Sequence, residues 1–186
     1  MADGLTEVRF HGRGGQGAWT ASLLLAQAGL KETRFIQSFP AFGPERAGAP
    51  ITAFTRISDS PIFIHSSVYE PDVVVVLDPT LLGQTVIQGL KKDTLMVVNT
   101  EHSPGEIREQ LGIPDTKVWT IDATSLALEI LKRPITNTAM LGAVIKATGL
   151  VKLESLLEAA SVRFTGSIRE PNLKLIRAAY EEVVEG

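Results

Sequence analysis

Glu7-Val8-Arg9-Phe10-His11-Gly12-Arg13-Gly14-Gly15-Gln16-Gly17-Ala18-Trp19-Thr20-Ala21-Ser22-Leu23-Leu24-Leu25-Ala26 is the stretch on which the fold turns. Apolar side chains alternate at Val8 and Phe10, which predicts a short strand. Four glycines between positions 12 and 17 predict a tight loop, because glycine adopts positive φ freely and lets other groups approach the backbone. From Ala18 to Ala26 the apolar residues recur at helical spacing, so the loop runs into a helix N-terminus. The free N–H groups of a helix start carry partial positive charge and can hold a phosphate or another anion. Taken literally, Gly12-x-Gly14-x-x-Gly17 is also a dinucleotide-binding fingerprint.

Further along, Val73-Val74-Val75-Val76-Leu77 lies between Pro71-Asp72 and Asp78-Pro79 and reads as a strand buried on both faces, as in a parallel sheet covered by helices. Leu95–Asn99 and Lys117–Ile121 repeat that character, with helices expected at about 80–91 and 104–111 between them. Two strand-like runs break the alternation. Ile51–Ile57 and Ile62–His65 are separated only by Ser58-Asp59-Ser60-Pro61, a gap that suits a hairpin and is too short for a crossover helix. After Asp122, an N-cap for the helix Ser125–Leu131, the chain reads as wholly helical. Asn137 is expected to cap a helix through about Ala147 that Gly149 ends, and two more helices follow at about 153–162 and 170–184. The predicted class is α/β: a three-layer, Rossmann-like doubly wound sheet, mostly parallel with an antiparallel hairpin, and a helical C-terminal segment. Residues 1–186 read as a single domain, long enough to bury roughly 70% of the surface that the unfolded chain exposes.

A formal net charge of -3 with scattered basic residues gives no general attraction to nucleic acid or to an anionic membrane. No run is apolar for long enough to span a bilayer, and Met1-Ala2-Asp3-Gly4 does not begin a signal peptide, so the expected location is the cytoplasm. The sequence contains no cysteine, which removes disulfides, thiolate zinc sites, a cysteine nucleophile and cysteine-ligated iron–sulfur clusters from this polypeptide. His11, His65 and His102 lack metal-ligand spacing.

The dinucleotide reading of the glycine loop requires an acid at the end of the second strand, to bind ribose hydroxyls. That strand is expected at Arg34–Phe39 and ends without one, while Glu45 falls in the loop beyond. Two other readings of the loop remain: glycines that serve only a tight turn and close helix packing, or a backbone cradle for a phosphate-bearing ligand or a partner's anionic group. A second unusual segment, Phe39-Pro40-Ala41-Phe42-Gly43-Pro44-Glu45-Arg46-Ala47-Gly48-Ala49-Pro50, is expected at the same carboxyl edge of the sheet. In it Arg46 could clamp a phosphate or carboxylate, or simply form a surface ion pair with Glu45. His11 could contact an anion or serve the structure, and Asp78 could be an active-site carboxylate or a strand-to-helix junction. No nucleophile elbow, P-loop or zinc-protease motif is present, so no catalytic residue is assigned.

His11-Gly-Arg-Gly-Gly-Gln-Gly17, followed by Phe39–Pro50 and Ala53-Phe54-Thr55-Arg56-Ile57, closely resembles the gamma subunit of the 2-oxoacid:ferredoxin oxidoreductases, notably the pyruvate enzyme (pyruvate synthase). Tyr69–Val74 and Asn137-Thr138-Ala139-Met140-Leu141-Gly142-Ala143 continue the likeness over nearly the whole chain. Many relatives carry a second arginine where Ala47 stands here. The resemblance implies a component, inactive alone, of a complex that converts a 2-oxoacid, coenzyme A and oxidised ferredoxin to acyl-CoA, carbon dioxide and reduced ferredoxin. It implies alpha, beta and delta partner subunits, with thiamine diphosphate, magnesium and iron–sulfur clusters held by those partners. Coenzyme A is then the expected contact of this chain, through Gly12, Arg13, Gly14, Gly15, Gln16, Gly17 and Arg46. A role in holding the subunits together is the other expectation, and a free-standing NAD(P)-dependent oxidoreductase is the alternative.

Overall fold

The chain forms strands β1 (Thr6–Arg13), β2 (Phe35–Pro40), β3 (Pro50–Ser58), β4 (Val73–Val76), β5 (Leu95–Asn99), β6 (Lys117–Ile121) and β7 (Val184–Glu185). Its helices are α1 (Ala18–Lys31), α2 (Gln84–Ile87), α3 (Pro104–Leu111), α4 (Ala123–Leu131), α5 (Asn137–Thr148), α6 (Leu153–Arg163) and α7 (Arg169–Glu182). The computed structural model describes residues 4–41 and 48–186. All strands join one sheet in the order β2-β3-β1-β4-β5-β6-β7. Pairing is parallel from β1 through β4 and β5 to β6; β3 runs antiparallel between β2 and β1, and β7 antiparallel to β6.

Helices cover both faces, as the two-sided burial of the valine strand predicts. Val73 and Val75 point into a large core formed with α1 and α4 to α7, whereas Val74 and Val76 join Met96, Val98 and Val118 in a smaller core closed by Val86 of α2 and Ile107 of α3. α5 is buried from Asn137 to Ile145 and packs closely on α7. At Gly142 a Cβ would run into the backbone oxygen of Ile176, so only glycine allows that approach.

The mixed sheet is as expected, but its antiparallel pairing is not. Residues 62–65 form no strand; β3 pairs with β2 on one side and β1 on the other. The reason is that both edges of β3 are taken. The Ile62–Ser66 segment lies instead over the sheet, held by Arg56, whose guanidinium donates to the carbonyls of Ile64 (3.3 Å) and Ser66 (2.9 Å). The helix expected at 80–91 is also broken, into a 3-10 turn at Pro79–Leu81 and the short α2, with Gly83 between them. Arg9 reaches across from β1 to the carbonyls of Val86 (2.9 Å) and Gln88 (2.7 Å), which replaces the helical ladder there. Asn137 is the first residue of α5 and Thr136 its N-cap, and the last helix stops at Glu182 so that the chain can add β7 to the sheet.

Candidate functional site

β1 ends at the carboxyl edge of the sheet, and the glycine loop turns there into α1. Gly15 (φ 96°) and Gly17 (φ 79°) occupy the left-handed region that the composition anticipates. Gly17 is constrained twice, because a Cβ there would lie 2.6 Å from Nδ2 of Asn137. Gly12 is a packing glycine; its Cβ would come within 3.2 Å of the Ala18 methyl. The loop is zipped to the end of the second glycine–proline segment: Gly14 N–H donates to Ala49 O (2.9 Å) and Gly48 N–H to Gly14 O (3.1 Å). Both unusual segments therefore meet at one edge. Arg46 and Glu45 lie outside the described residues.

α1 begins without a side-chain cap and without an acid in its first turn. Among the described residues, no group accepts from the N–H of Gly15, Ala18, Trp19 or Thr20. Those donors open on a cleft of about 450 Å³ that Gly14, Gly15, Gly17, Trp19 and Thr20 line together with the ends of β2 and β3. An uncapped helix start with free donors and no acid in its first turn suits an anion.

Not every predicted residue faces that cleft. Arg13 and Gln16 turn to Asp78: Gln16 Nε2 donates to Asp78 Oδ2 (2.6 Å), and Arg13 Nε lies 3.2 Å from the same oxygen. Gln16 Oε1 accepts from Arg13 N–H (2.7 Å), and the Arg13 guanidinium donates to Thr80 Oγ1 (2.7 Å) and Gly48 O (3.2 Å). Asp78 also caps the turn that follows it, accepting from Thr80 N–H (2.9 Å) and Thr80 Oγ1 (2.6 Å). It clamps the loop and caps the junction from β4 to the 3-10 turn. His11 is buried and accepts at Nε2 from Arg9 Nε (3.0 Å). Burial, and then the Arg9 charge, push its pKa down to about 4, so it is neutral at pH 7 and supplies no cation to the loop. Trp19 and Thr20, which no motif marks, also line the cleft; the indole in the first turn of an otherwise apolar-stripe helix is the only signal for them in the sequence.

Burial by itself raises the Asp78 carboxyl, but its donors, Thr80 Oγ1, Gln16 Nε2 and Thr80 N–H, together with the Arg13 charge, outweigh that and hold it below the ordinary aspartate value. A carboxyl lowered on folding adds stability that is complete above its unfolded pKa and is lost as pH falls through the folded one. The loop is thus fully clamped at neutral pH and loosens in acid, below about pH 4. Asp78→Asn is expected to lower the thermal midpoint at pH 7 and to flatten its acid dependence. Parallel curves for the two proteins would contradict the clamp.

The dinucleotide alternative is not favoured by the topology. β3 is inserted between β1 and β2, and among the described residues β2 ends at Pro40 without a carboxylate to hold a ribose.

Comparison with known proteins agrees with this geometry. Residues 7–182 match the family described as pyruvate ferredoxin/flavodoxin oxidoreductase. The chain is 56% identical over 181 residues to the pyruvate/ketoisovalerate oxidoreductases common subunit gamma of Thermococcus kodakarensis, covering 97% of this chain and 98% of that one. It is 47% identical to the pyruvate synthase subunit PorC of Methanocaldococcus jannaschii, over 97% of this chain and 98% of that one. The crystal structure of the pyruvate oxidoreductase subunit PORC of Thermotoga maritima superposes with a TM-score of 0.89 at 40% identity, covering 98% and 99% of the two chains.

Proposed function

The chain belongs to the pyruvate ferredoxin/flavodoxin oxidoreductase family, as a gamma subunit of a 2-oxoacid:ferredoxin oxidoreductase, and from that premise we propose that its glycine-loop cleft receives the phosphates of coenzyme A. The 2-oxoacid is pyruvate, in keeping with the relatives named as pyruvate synthase subunits. Residues 1–186 act as one gamma-type domain that works in the cytoplasm with alpha, beta and delta subunits and passes electrons through them to ferredoxin. Thiamine diphosphate with magnesium and the iron–sulfur clusters supply decarboxylation and electron transfer, and they reside in those partners. This chain offers no cysteine for a cluster, and among its described residues no group of His, Asp and Glu could hold a metal ion.

The observation that carries the proposal is the run of N–H groups at the start of α1 that are unused among the described residues and open to a cleft whose described lining carries no carboxylate. Held there, coenzyme A would present its thiol to the partners' active centre at high effective concentration. Arg13 keeps a third of its side-chain surface exposed and has guanidinium N–H groups to spare, so it can add charge at the rim while it braces the loop. No membrane-spanning role is proposed: among the described residues no helix is long and apolar enough to cross a bilayer. A second role, holding the complex together, is supported by Phe63 and Tyr69, which are 81% and 71% exposed on the segment that covers the sheet.

The test compares Gly15→Glu with Gly15→Gln in the assembled complex. Both impose the same backbone strain at φ 96° and project into open space, so they differ only in charge. The Glu variant is expected to raise the KM for coenzyme A about tenfold above the Gln variant. Equal KM values in complexes of normal subunit composition would refute the phosphate role; loss of co-purification in both would favour the assembly role of the loop.

A further inference from the structure

We infer that β2 is a docking edge for a second copy of this chain, two β2 strands pairing antiparallel about a two-fold axis at Gln37 so that two sheets become one. The inference goes beyond the coenzyme A reading and does not depend on it. β2 is the last strand on its side of the sheet. Antiparallel neighbours exchange hydrogen bonds at alternate residues. Ala41 N–H donates to Thr52 O (2.8 Å), which makes Phe35, Gln37 and Phe39 the residues bonded to β3. Ile36 and Ser38 therefore turn their N–H and C=O groups outward, and among the described residues nothing bonds to them. Sheet edges are ordinarily blunted by shortness or by charge. β7, at the other edge, has 2 residues and one of them is Glu185, whereas β2 has 6 and none from Phe35 to Pro40 is charged.

Apolar surface flanks the open edge. On α1, Trp19 (54% exposed), Leu23 (36%) and Leu30 (58%) recur at helical spacing. The positions of α1 that meet β2 are Ser22, whose hydroxyl lies 2.9 Å from that of Ser38, and Gly29, where a Cβ would lie 3.3 Å from the Ile36 side chain. Leu23 and Leu30 each follow one of these by a single residue, so the stripe adjoins the β2 side; Lys31, paired with Glu158 of α6, marks the opposite flank. Symmetry selects a second copy as the occupant. One face of β2 reads Phe35, Gln37, Phe39, the same in both directions, so an antiparallel copy sets Phe35 against the partner's Phe39. Ile36 and the partner's Ser38 then exchange two hydrogen bonds, the symmetric pair exchanges two more, and Pro40, which has no N–H, stays outside the ladder. The stripe shares this centre. Ser22 beside Ser38 and Gly29 beside Ile36 put Gln37 level with the middle of the run from Trp19 to Leu30. The two α1 helices would lie antiparallel about 10–14 Å apart, two to three strand spacings, close enough for indole and leucine side chains to meet. A patch about 20 Å along the strand and about 25 Å across the strand and helix layers buries on the order of 1,000 Å² over both copies, enough for a modest specific interface.

The chain has no cysteine, so a single added thiol reports the contact. Gln37→Cys sets two thiols at directly opposed positions, with Cα atoms about 4.5 Å apart, within disulfide range. Mild oxidation should join two gamma chains, both in the full chain alone and in the assembled complex, while Val162→Cys, exposed on α6, should not. Sedimentation of the unmodified full chain should show a dimer. Leu30→Lys combined with Phe35→Lys, both at exposed positions, should raise its dissociation constant at least about tenfold with the thermal midpoint unchanged. Amide exchange, which needs no substitution at Gln37, should be slow at Ile36 and Ser38 in the unmodified chain and fast in the double lysine variant. A monomer with fast exchange at both amides overturns the inference, as does a dimer that the two lysines leave intact. Equal cross-linking from Gln37→Cys and Val162→Cys also overturns it, and a disulfide from Gln37→Cys to a different subunit of the complex gives the edge to that partner instead.

Discussion

Arg56→Met is expected to lower the unfolding free energy by about 3 kcal/mol. The arginine side chain is 1% exposed on β3, and its guanidinium donates to Glu7 Oε1 (2.7 Å), Gln37 Oε1 (3.1 Å) and the carbonyls of Ile64 and Ser66. It also lies over the Phe39 ring, 5.3 Å from the centroid. Methionine fills similar volume but leaves a carboxylate and an amide without their donor and frees the segment that covers the sheet. Removal of one partner of a buried pair costs about 3–5 kcal/mol, and Glu7, with 21% of its side chain exposed, retains enough water to keep the figure at the low end. Urea unfolding measures the loss, and limited proteolysis should find residues 59–70 cut first. Adding Glu7→Gln should recover part of the stability, since it removes the stranded charge. A shift below about 0.5 kcal/mol would mean that the arginine is not a fastener of this face.

Gly142→Ala is expected to destabilise the protein by about 2 kcal/mol, against the ordinary preference of helices for alanine. Propensity alone would favour the variant by about 1 kcal/mol. The new Cβ, however, would meet the carbonyl oxygen of Ile176 and come within 3.1 Å of Tyr180 N. Those are backbone atoms of α7, which cannot rotate away as a side chain can. The helices must separate, at about 3 kcal/mol for overpacking of this kind, and the clash outweighs the propensity. Gly142→Val, with lower propensity and two further methyl groups, should fail to give a cooperative transition. Unfolding midpoints in urea decide the matter; a stabilised alanine variant would show that α5 and α7 do not approach so closely.

The legible parts of this protein were those encoded over a few neighbouring residues. The strand–glycine loop–helix unit followed from apolar spacing and from the φ freedom of Gly15 and Gly17. Strands β5 and β6 and helix α3 fell where the periodicity put them, and Asp122 caps α4 by accepting from Ser125 N–H (2.9 Å). The misplaced elements were those decided by distant partners. Residues 62–65 have strand composition, yet β3 had no free edge for them. The helix expected from 80 yielded to Gly83 and to the Arg9 side chain, which takes carbonyls 77 and 79 residues away.

Sequence by itself determined that a glycine cradle opens a helix in a doubly wound sheet, and its long motifs identified the gamma subunit of the oxidoreductase family, because φ preferences and burial periods act locally. Tertiary structure alone decided which way the cradle's side chains point. Gln16 is bound to an aspartate 62 residues on, so Gln16 and Arg13 brace the loop while its bare N–H groups and Trp19 face the cleft. Side-chain direction at a loop depends on what the rest of the fold brings against it, and no spacing within the loop carries that information.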